Sequence, residues 1–426
     1  MPAVATNSEP PGSLDPLQAH PYLDLSLADS HPELLRSFHR LFLAIRDGDQ
    51  AYDAFLERML HPPGGEHGAD ANRLTAAYYL NEASRYVEAL AALFPRRRRA
   101  GLRAHPRVRD TNDLRELLRI VFEGRDPRLA FEARRKLYLA KLFFDVEHCW
   151  EVQRGDRHRR YFAELIDREL LVHTVAREDV DIAFDIAADG LRIDYRVGQP
   201  LPHEEVWRFR RRELRFRQDG RTVRARIYFY SCRSKREVLP YHYVRGQRVY
   251  ELETREKWSE LSLRRDASIV SKMLRKGVNE PGAFPDIVGA MFIVENSAEV
   301  EVLREALFDI VGGPMKIRNV VDTLTRAGDR ALLHAQSGAG YKVYKGDLDL
   351  LYAEEGDEVP PYGFAVELQL YTLESYLRTI HTRHYASHQR LKRRQFLERL
   401  APLLFPEEIY GRGTRGAAPA VRRGLI

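Results

Sequence analysis

Cysteine is scarce in this sequence: Cys149 and Cys232 are the two cysteines among 426 residues, and they lie far apart. A disulfide framework and a paired-cysteine metal site both need more cysteines, so both are excluded and a reducing cytoplasm is favoured. No stretch has the ~20 consecutive apolar residues of a membrane span. The first residues also lack the basic-then-apolar order of a signal peptide. We therefore expect a cytoplasmic protein without a membrane segment.

The sequence also lacks an internal repeat and a strong excess of charge. A formal net charge of +6 permits a polyanionic ligand or RNA but indicates neither. Two basic stretches invite an RNA interpretation. Arg96–Arg99 fall in a predicted loop after Pro95 and offer contacts to phosphates, whereas Arg208–Arg217 alternate like a strand whose arginines face solvent. The charge therefore leaves an RNA contact as one alternative, with Arg96–Arg99 as the candidate residues.

The spacing of apolar residues divides the chain into five segments. Residues 1–31 are rich in Pro, Ser and Asp and predict a flexible tail. Helical spacing over 32–175 predicts a helical domain, and alternation over 176–252 predicts an antiparallel β section. Residues 253–400 mix helical and strand patterns, and 401–426 form a basic tail. The predicted fold class is α+β, with a helical domain before a mixed sheet that has an antiparallel extension.

The first segment of 253–400 with the chemistry of a nucleotide site is a predicted helix. Asp266 is its expected N-cap and Gly277 its expected C-terminal stop. Ser268, Lys272 and Arg275 recur at i, i+4 and i+7 and form one stripe. Cations near a helix start suit polyphosphate binding, although an ordinary amphipathic helix has the same pattern.

Asp286 stands directly before the apolar run Ile287–Val294, which is typical of a strand buried on both faces. A carboxylate at the entry of such a strand can hold Mg²⁺, because this ion prefers one or two carboxylates together with substrate phosphates. A simple turn residue after Pro285 is the alternative.

Two further predicted strands carry polar side chains on one face. The first presents Tyr341, Val343, Lys345, Asp347 and Asp349. The second presents Glu367, Gln369 and Tyr371. If the two strands pair as a hairpin, Lys345, Asp347 or Asp349 lies beside Glu367, and a one-residue slip would bury that carboxylate. The mixture of acids, amide, lysine and tyrosine suits a nucleotide site, whereas a plain solvated face is the alternative.

The last segment places His381, His384 and His388 on one side of a predicted helix. Three histidines can ligate zinc, but no nearby acidic residue completes the set. A histidine that faces phosphate or caps a helix is the favoured interpretation.

In this order the segments resemble the synthetase domain of the RelA/SpoT family, which transfers pyrophosphate from ATP to the 3′-hydroxyl of GTP or GDP. These products are the alarmones of the stringent response. The matching motifs, over about a third of the chain, are Ser268-Ile-Val-Ser-Lys-Met, Asp286-Ile-Val-Gly, Gly340-Tyr341, Val366-Glu-Leu-Gln and His388.

The resemblance implies a role for each motif. Asp286 and Glu367 would bind Mg²⁺, and Glu367 would also accept the proton of the attacking hydroxyl. Tyr341 would stack on the acceptor base. The residues implied to contact the nucleotides are Arg264, Ser268, Lys272, Arg275, Tyr341, Lys342, Lys345, Gln369 and His388.

Several cations of the family are replaced in this chain. Ser262 and Arg264 fall where the family has Arg-x-Lys before the helix, and Met291 falls where it has an arginine. Lys345 aligns with a histidine and Tyr371 with an arginine of the family. Lys342 or Lys345 would supply the missing charge. The changes leave open a different acceptor, such as an RNA end, or a lost activity.

Two alternatives follow for the function. A polymerase-β-like transferase would use Ser337-Gly338 and Asp347-Leu-Asp349, although only eight residues lie between Gly338 and Asp347. A catalytically inactive nucleotide- or RNA-binding regulator would keep the fold and bind without turnover. Alarmone hydrolysis is not expected, because residues 32–175 lack the His-Asp motif of the family's hydrolase half. Related synthetases assemble, so an oligomer is left open.

Overall fold

The structure, a computed structural model, describes residues 15–60, 68–187, 193–198, 206–235, 242–244, 247–250, 266–325, 341–353, 360–380 and 394–411. Contacts divide the chain into a helical unit (1–149, 266–281 and 393–426) and a sheet unit (150–265 and 282–392). None of the helices in the described ranges has the length and hydropathy needed to cross a membrane. Helices precede a mixed sheet, so the predicted α+β class is confirmed.

The helices, in chain order, are α1 (Pro32–Ile45), α2 (Asp49–Leu60), α3 (Ala69–Ala91), α4 (Arg96–Leu102), α5 (Leu114–Glu123), α6 (Pro127–His148), α7 (Trp150–Glu169), α8 (Ala267–Lys276), α9 (Ser297–Val311) and α10 (Leu373–Ile380). Shorter helical turns span Pro16–Ala19, Pro21–Leu23, Leu27–Ser30, Pro106–Arg109, Leu171–His173, Pro281–Ala283, Pro285–Ile287, Pro314–Lys316, Phe396–Leu400, Ala401–Leu404 and Glu407–Tyr410. The strands are β1 (Thr174–Ile186), β2 (Ile193–Val197), β3 (Val206–Gln218), β4 (Arg221–Ser234), β5 (His242–Val244), β6 (Gln247–Tyr250), β7 (Val288–Val294), β8 (Ile317–Asp322), β9 (Tyr344–Tyr352) and β10 (Tyr362–Thr372).

The helical unit packs apolar stripes of α1, α2, α3 and α5 into one core. This core contains Phe42, Ile45, Tyr52, Leu56, Leu60, Ala76 and Leu118. Asp113 and Asp126 accept hydrogen bonds from the first backbone amides of α5 and α6, which fixes where these helices begin. Residues 15–31, within the predicted tail, instead form short helical turns with Leu23 and Leu27 buried.

Helix α8 belongs to the helical unit. It ends at Gly277 in the left-handed conformation, as predicted, whereas the Asp266 side chain makes no capping hydrogen bond. The hydroxyls of Tyr86 and Ser271 are 2.6 Å apart, and His20 Nε2 lies 3.1 Å from the carbonyl oxygen of Met273. The contacts thus group α8 with helices far from it in sequence, and the predicted domain boundaries stay a prediction.

Ten strands of the sheet unit lie within the described ranges. Eight follow the order β2-β1-β3-β4-β7-β10-β9-β8, and β6 pairs with both β3 and β5. β7 and β10 are parallel, whereas β4 with β7 and β9 with β10 are antiparallel. The predicted antiparallel section and the predicted mixed sheet are therefore one continuous sheet.

Each face of the sheet has its own hydrophobic core. Helices α7 and α9 cover one face, where Phe162 and Leu303 pack on Val288, Leu348 and Val366. On the other face, α10 packs Leu373, Tyr376 and Leu377 against a second cluster that includes Trp207 and Phe209. The alternation of β9 and β10 predicted from the sequence is confirmed, because Leu348, Leu350, Val366, Leu368 and Leu370 all lie on the first face.

The arginines of β3 follow from strand pairing. Arg208 Nε donates to Asp181 of β1 at 2.8 Å, and Arg210 Nε donates to Asp179 at 3.2 Å. These cross-strand ion pairs account for the alternating arginines of β3, and no RNA ligand is needed to explain that pattern.

Gly346→Ala is expected to destabilise the protein by about 1–3 kcal/mol, because overpacking forces a shift in a well-packed sheet. A Cβ at Gly346 would lie 2.8 Å from Ile317 Cγ2 and 3.2 Å from the carbonyl oxygen of Arg318. Gly363→Ala is the matched control, since its Cβ would meet its nearest atom at 3.9 Å. Urea unfolding of both variants measures the difference, and equal stabilities would contradict the expectation.

Candidate functional site

A row of charged residues crosses four neighbouring strands. Arg233 of β4 pairs with Gly289 of β7, Gly289 pairs with Glu367 of β10, and Glu367 pairs with Asp347 of β9. Residues directly opposite in a sheet point to the same face. Gly289 has no side chain, and two strand spacings amount to roughly 10 Å. The row therefore leaves a gap between a cation and two carboxylates.

The Glu367 carboxylate is held by its neighbour on the same strand. Gln369 Nε2 donates to Glu367 Oε2 at 2.6 Å, and the Tyr371 hydroxyl donates to Gln369 Oε1 at 3.3 Å. The hydroxyls of Tyr371 and Tyr341 are 2.6 Å apart. Glu367 and Gln369 are half-buried and Tyr371 is buried, so a hydrogen-bonded line runs from the core to the edge of the row.

Asp286 lies in the short turn Pro285–Ile287 that leads into β7, where 9% of the residue is exposed. Its Oδ2 lies 2.7 Å from Lys235 Nζ. The backbone N–H of Lys235 donates to the Ile287 carbonyl at 2.8 Å, which continues the pairing of β4 with β7 by one residue. An ammonium group thus balances the charge of Asp286 inside the protein.

Asp347 is the most buried carboxylate of the row, at 6% exposure. Asn319 Nδ2 donates to its Oδ2 at 2.8 Å. Asn319 has φ = +53° and lies at an irregularity of the β8–β9 pairing, and asparagine tolerates this left-handed conformation better than most residues. Asp349, on the same face, forms an ion pair with Arg318 at 2.6 Å.

Burial raises the pKa of Asp347, and the nearby charges of Glu367 and Asp286 raise it further, while the Asn319 hydrogen bond lowers it. The charges of Glu367 and Asp286 therefore act on Asp347. Burial also raises the pKa of Tyr341 to about 12, so its hydroxyl stays protonated at neutral pH.

Asp347→Asn is expected to stabilise the protein at neutral pH by about 1 kcal/mol, the usual scale of one polar substitution. Because the folded-state pKa of Asp347 is raised, wild-type stability falls as pH rises through that pKa. The gain of the variant should accordingly vanish below about pH 4, where the acid is protonated in both states. Urea unfolding between acid and neutral pH measures it. Asp349→Asn is the control, and a gain that persists at low pH would contradict the expectation.

The predicted site residues are divided between the two units of the chain. Asp286, Glu367, Lys345 and Gln369 lie in the sheet unit, with Lys345 opposite Gln369 in the hairpin. Tyr341 is packed edge-on against Tyr371, with ring centroids 6.2 Å apart, and Lys342 is exposed.

Ser268, Lys272 and Arg275 form the expected stripe on α8, where all three are half-buried, and this helix belongs to the helical unit. The predicted residues outside the described ranges are Arg264, Ser337, Gly338, Gly340, His381, His384 and His388.

Arg96–Arg99 form the first turn of α4, directly after its N-cap Pro95, so the prediction of a loop here is wrong. Arg96 and Arg97 are exposed, whereas Arg99 donates from Nε to the Phe94 carbonyl at 2.8 Å. An RNA contact here remains a prediction.

Sequence reasoning missed Arg233 and Lys235. The two cations are separated by Ser234 and therefore have Arg-x-Lys spacing. The RelA/SpoT family has this motif at the positions that Ser262 and Arg264 occupy in this chain. The signal was present as an Arg-x-Lys at the end of an alternating strand. It was overlooked because about 30 residues, by count from the sequence, separate it from α8.

The oxygen donors offered to a divalent ion come from two carboxylates, Asp286 and Glu367. Within the described residues, no group of three or more His, Cys, Asp or Glu side chains is arranged to hold a metal. Mg²⁺ nevertheless binds through one or two carboxylates when substrate phosphates and water complete its shell. Asp286 and Glu367 supply hard oxygen ligands of this kind.

Comparison with solved structures finds alarmone synthetases. Small alarmone synthetase 1 of Bacillus subtilis, bound to its product pppGpp, is 20% identical over 26% of this chain and 53% of that chain, with a TM-score of 0.21. A GTP pyrophosphokinase family protein of Streptococcus pneumoniae is 19% identical over 34% and 60%, with a TM-score of 0.21. A second structure of the Bacillus subtilis synthetase is 18% identical over 43% and 76%, with a TM-score of 0.22.

This chain thus spans 53% and 60% of the length of the first two structures. No protein-family model matches the chain, and no curated protein is significantly similar to it. The resemblance seen in the sequence is also found by structure comparison, but TM-scores near 0.2 assign neither a fold nor an activity. The function is therefore argued from the residues of the site.

Proposed function

We propose that the charged row is a Mg²⁺–nucleotide site that transfers a pyrophosphate or nucleotidyl group from ATP to a hydroxyl. The acceptor is a GTP- or GDP-like nucleotide or an RNA end. The observation that carries the proposal is the alignment of Arg233, Gly289, Glu367 and Asp347 across one face of the sheet. It supplies a cation, a glycine without a side chain, and the carboxylates of Glu367 and Asp347 in one line. Asp286 lies in the turn directly before the same strand β7.

Transfer of a phosphoryl group needs positioning and charge neutralisation more than covalent help. Arg233 and Lys235 are cations at the edge of the gap and suit the phosphates of the donor. Asp286 and Glu367 would hold Mg²⁺, which neutralises charge that develops on the phosphate oxygens.

Glu367 would also orient the acceptor hydroxyl and take its proton. In pyrophosphate transfer, the acceptor oxygen forms a bond to the β-phosphorus of ATP while the bond from that phosphorus to the α,β-bridging oxygen breaks. AMP leaves with the electron pair of that bond. In nucleotidyl transfer, the attack is on the α-phosphorus and pyrophosphate leaves.

ATP labelled separately at the α- and γ-phosphorus tests the proposal. Purified protein is incubated with Mg²⁺ and with GTP, GDP or tRNA. The γ label should move to the acceptor in pyrophosphate transfer, and the α label in nucleotidyl transfer. If neither label reaches any acceptor, the catalytic proposal fails.

One observation favours a binding function without turnover. The Lys235 ammonium lies 2.7 Å from Asp286 and competes with a metal for that carboxylate. A catalytically inactive regulator would bind nucleotide, as measured by equilibrium dialysis, without transferring either label.

A further inference from the structure

We propose that Tyr371 is a positioning residue that orients Glu367 through the Gln369 amide and links this carboxylate to Tyr341. The inference rests on the proposed function, because it assigns Glu367 to the reaction. The Tyr371 hydroxyl contacts neither carboxylate of the row. Tyr371 occupies the position where the family resemblance expects an arginine.

The hydrogen bonds along β10 have one direction. The Tyr371 hydroxyl donates to Gln369 Oε1, so the oxygen of Tyr371 is left to accept from the Tyr341 hydroxyl at 2.6 Å. With its oxygen engaged by Tyr371, the Gln369 amide presents its NH₂ group to Glu367 at 2.6 Å. The proton order therefore runs from Tyr341 through Tyr371 and Gln369 to Glu367.

The Tyr371 hydroxyl anchors the oxygen end of the Gln369 amide, whose NH₂ end faces Glu367. A glutamine amide has one donor end and one acceptor end, so the two partners hold it from opposite sides. Without the tyrosine hydroxyl, the oxygen end loses its donor, and the amide can swing away from the geometry that holds the carboxylate. Glu367 would then lose its fixed orientation.

The packing around Tyr371 makes this line rigid. Tyr371 is 4% exposed, and its ring contacts Tyr341 and Tyr376 at centroid distances of 6.2 and 5.9 Å, in both cases at a steep angle. Tyr341 is the residue expected to contact the acceptor base. Movement of its ring on acceptor binding would therefore reach Glu367 through two hydroxyl and amide groups.

The test compares wild type with Tyr371→Phe, Gln369→Met and the double variant, with Tyr376→Phe as the matched control. Each phenylalanine removes one hydroxyl from the same aromatic cluster. Tyr371→Phe should lower the kcat for label transfer about 10–100-fold and leave the KM for ATP within about twofold, as for a misplaced catalytic group. Tyr376→Phe should change neither by more than about twofold.

The double variant separates positioning from packing. If Tyr371 acts through Gln369, adding Tyr371→Phe to Gln369→Met should lower the kcat for label transfer by less than a further factor of about two. The proposal would be overturned if the losses of kcat in the two single variants multiply in the double variant. It would also be overturned if Tyr376→Phe lowers kcat as much as Tyr371→Phe does. If wild type transfers no label, the proposed function fails separately. Urea unfolding of wild type, Tyr371→Phe, Gln369→Met and their double variant then decides the inference. Additive losses of stability reject the Tyr371–Gln369 link, and coupled losses support it.

Discussion

Glu367→Gln is expected to lower transfer of label from ATP by about three orders of magnitude, the scale on which general-base and electrostatic groups act. The substitution keeps the shape of the side chain and removes its charge and basicity. Since Gln369 Nε2 donates to Glu367 Oε2, the new amide can still accept this hydrogen bond through its own oxygen. The fold should therefore survive while the chemistry does not.

Initial rates with labelled ATP, together with urea unfolding, measure both quantities. Glu374→Gln is the matched control, because Glu374 belongs to the same unit and forms an ion pair with Arg378 at 2.6 Å. It should transfer label at the wild-type rate within about twofold, since exposed ion pairs contribute little. Retained transfer in Glu367→Gln would remove Glu367 from the reaction and favour a binding function.

The hairpin of the site could be predicted from the sequence because its signal is local. Alternation in β9 and β10 determines which residues are buried, and burial of Leu348 and Leu368 on one side leaves Asp347 and Glu367 together on the other. A shift by one residue would exchange the two faces, so the register follows from the pattern.

The cationic part of the row could not be predicted in this way. Arg233 reaches the site because β4 pairs with β7, and more than 50 residues, by count from the sequence, separate Arg233 from Gly289. Strand pairing over such a distance leaves no period in the sequence. Alternation over 176–252 predicted an antiparallel section, but it did not identify the strand that pairs with β4.

Two further features depend on contacts that a pattern does not encode. The left-handed conformation of Asn319 depends on the irregular β8–β9 pairing, and it directs the Asn319 amide to Asp347. Helix α8 was predicted with its stripe and its glycine stop, but helical periodicity does not identify a packing partner. Tyr86 and His20, its partners in the helical unit, are more than 180 residues away.

Charge balance at the start of β7 connects the fold with the proposed metal. Asp286 is buried in the turn directly before β7, and its charge needs a positive partner because an isolated buried charge is costly. In the structure Lys235 provides it at 2.7 Å, with side-chain exposures of 26% for the lysine and 10% for the aspartate. A bound Mg²⁺ would provide the same compensation, so the ammonium and the metal are alternative neighbours of one carboxylate.

Lys235→Met is therefore expected to destabilise the metal-free protein by about 3 kcal/mol, because it leaves the Asp286 carboxylate without its ammonium partner. Lys235→Met combined with Asp286→Asn should recover most of this loss, since replacing both members of a buried pair is often close to neutral. Urea unfolding of wild type, both single variants and the double variant gives the coupling between the two side chains. Independent, additive losses would show that the ion pair contributes little.

Mg²⁺ should raise the stability of Lys235→Met more than that of wild type, because a ligand that binds the folded state stabilises it more the tighter it binds. Without the competing Lys235 ammonium, Asp286 should bind the ion more tightly, and the thermal midpoint of Lys235→Met should rise on titration with Mg²⁺. Lys235→Arg keeps the positive charge and should respond like wild type. The double variant lacks the carboxylate and should not respond. An equal response of Lys235→Met and the double variant would exclude Asp286 as the metal ligand, whatever the outcome of the transfer assays.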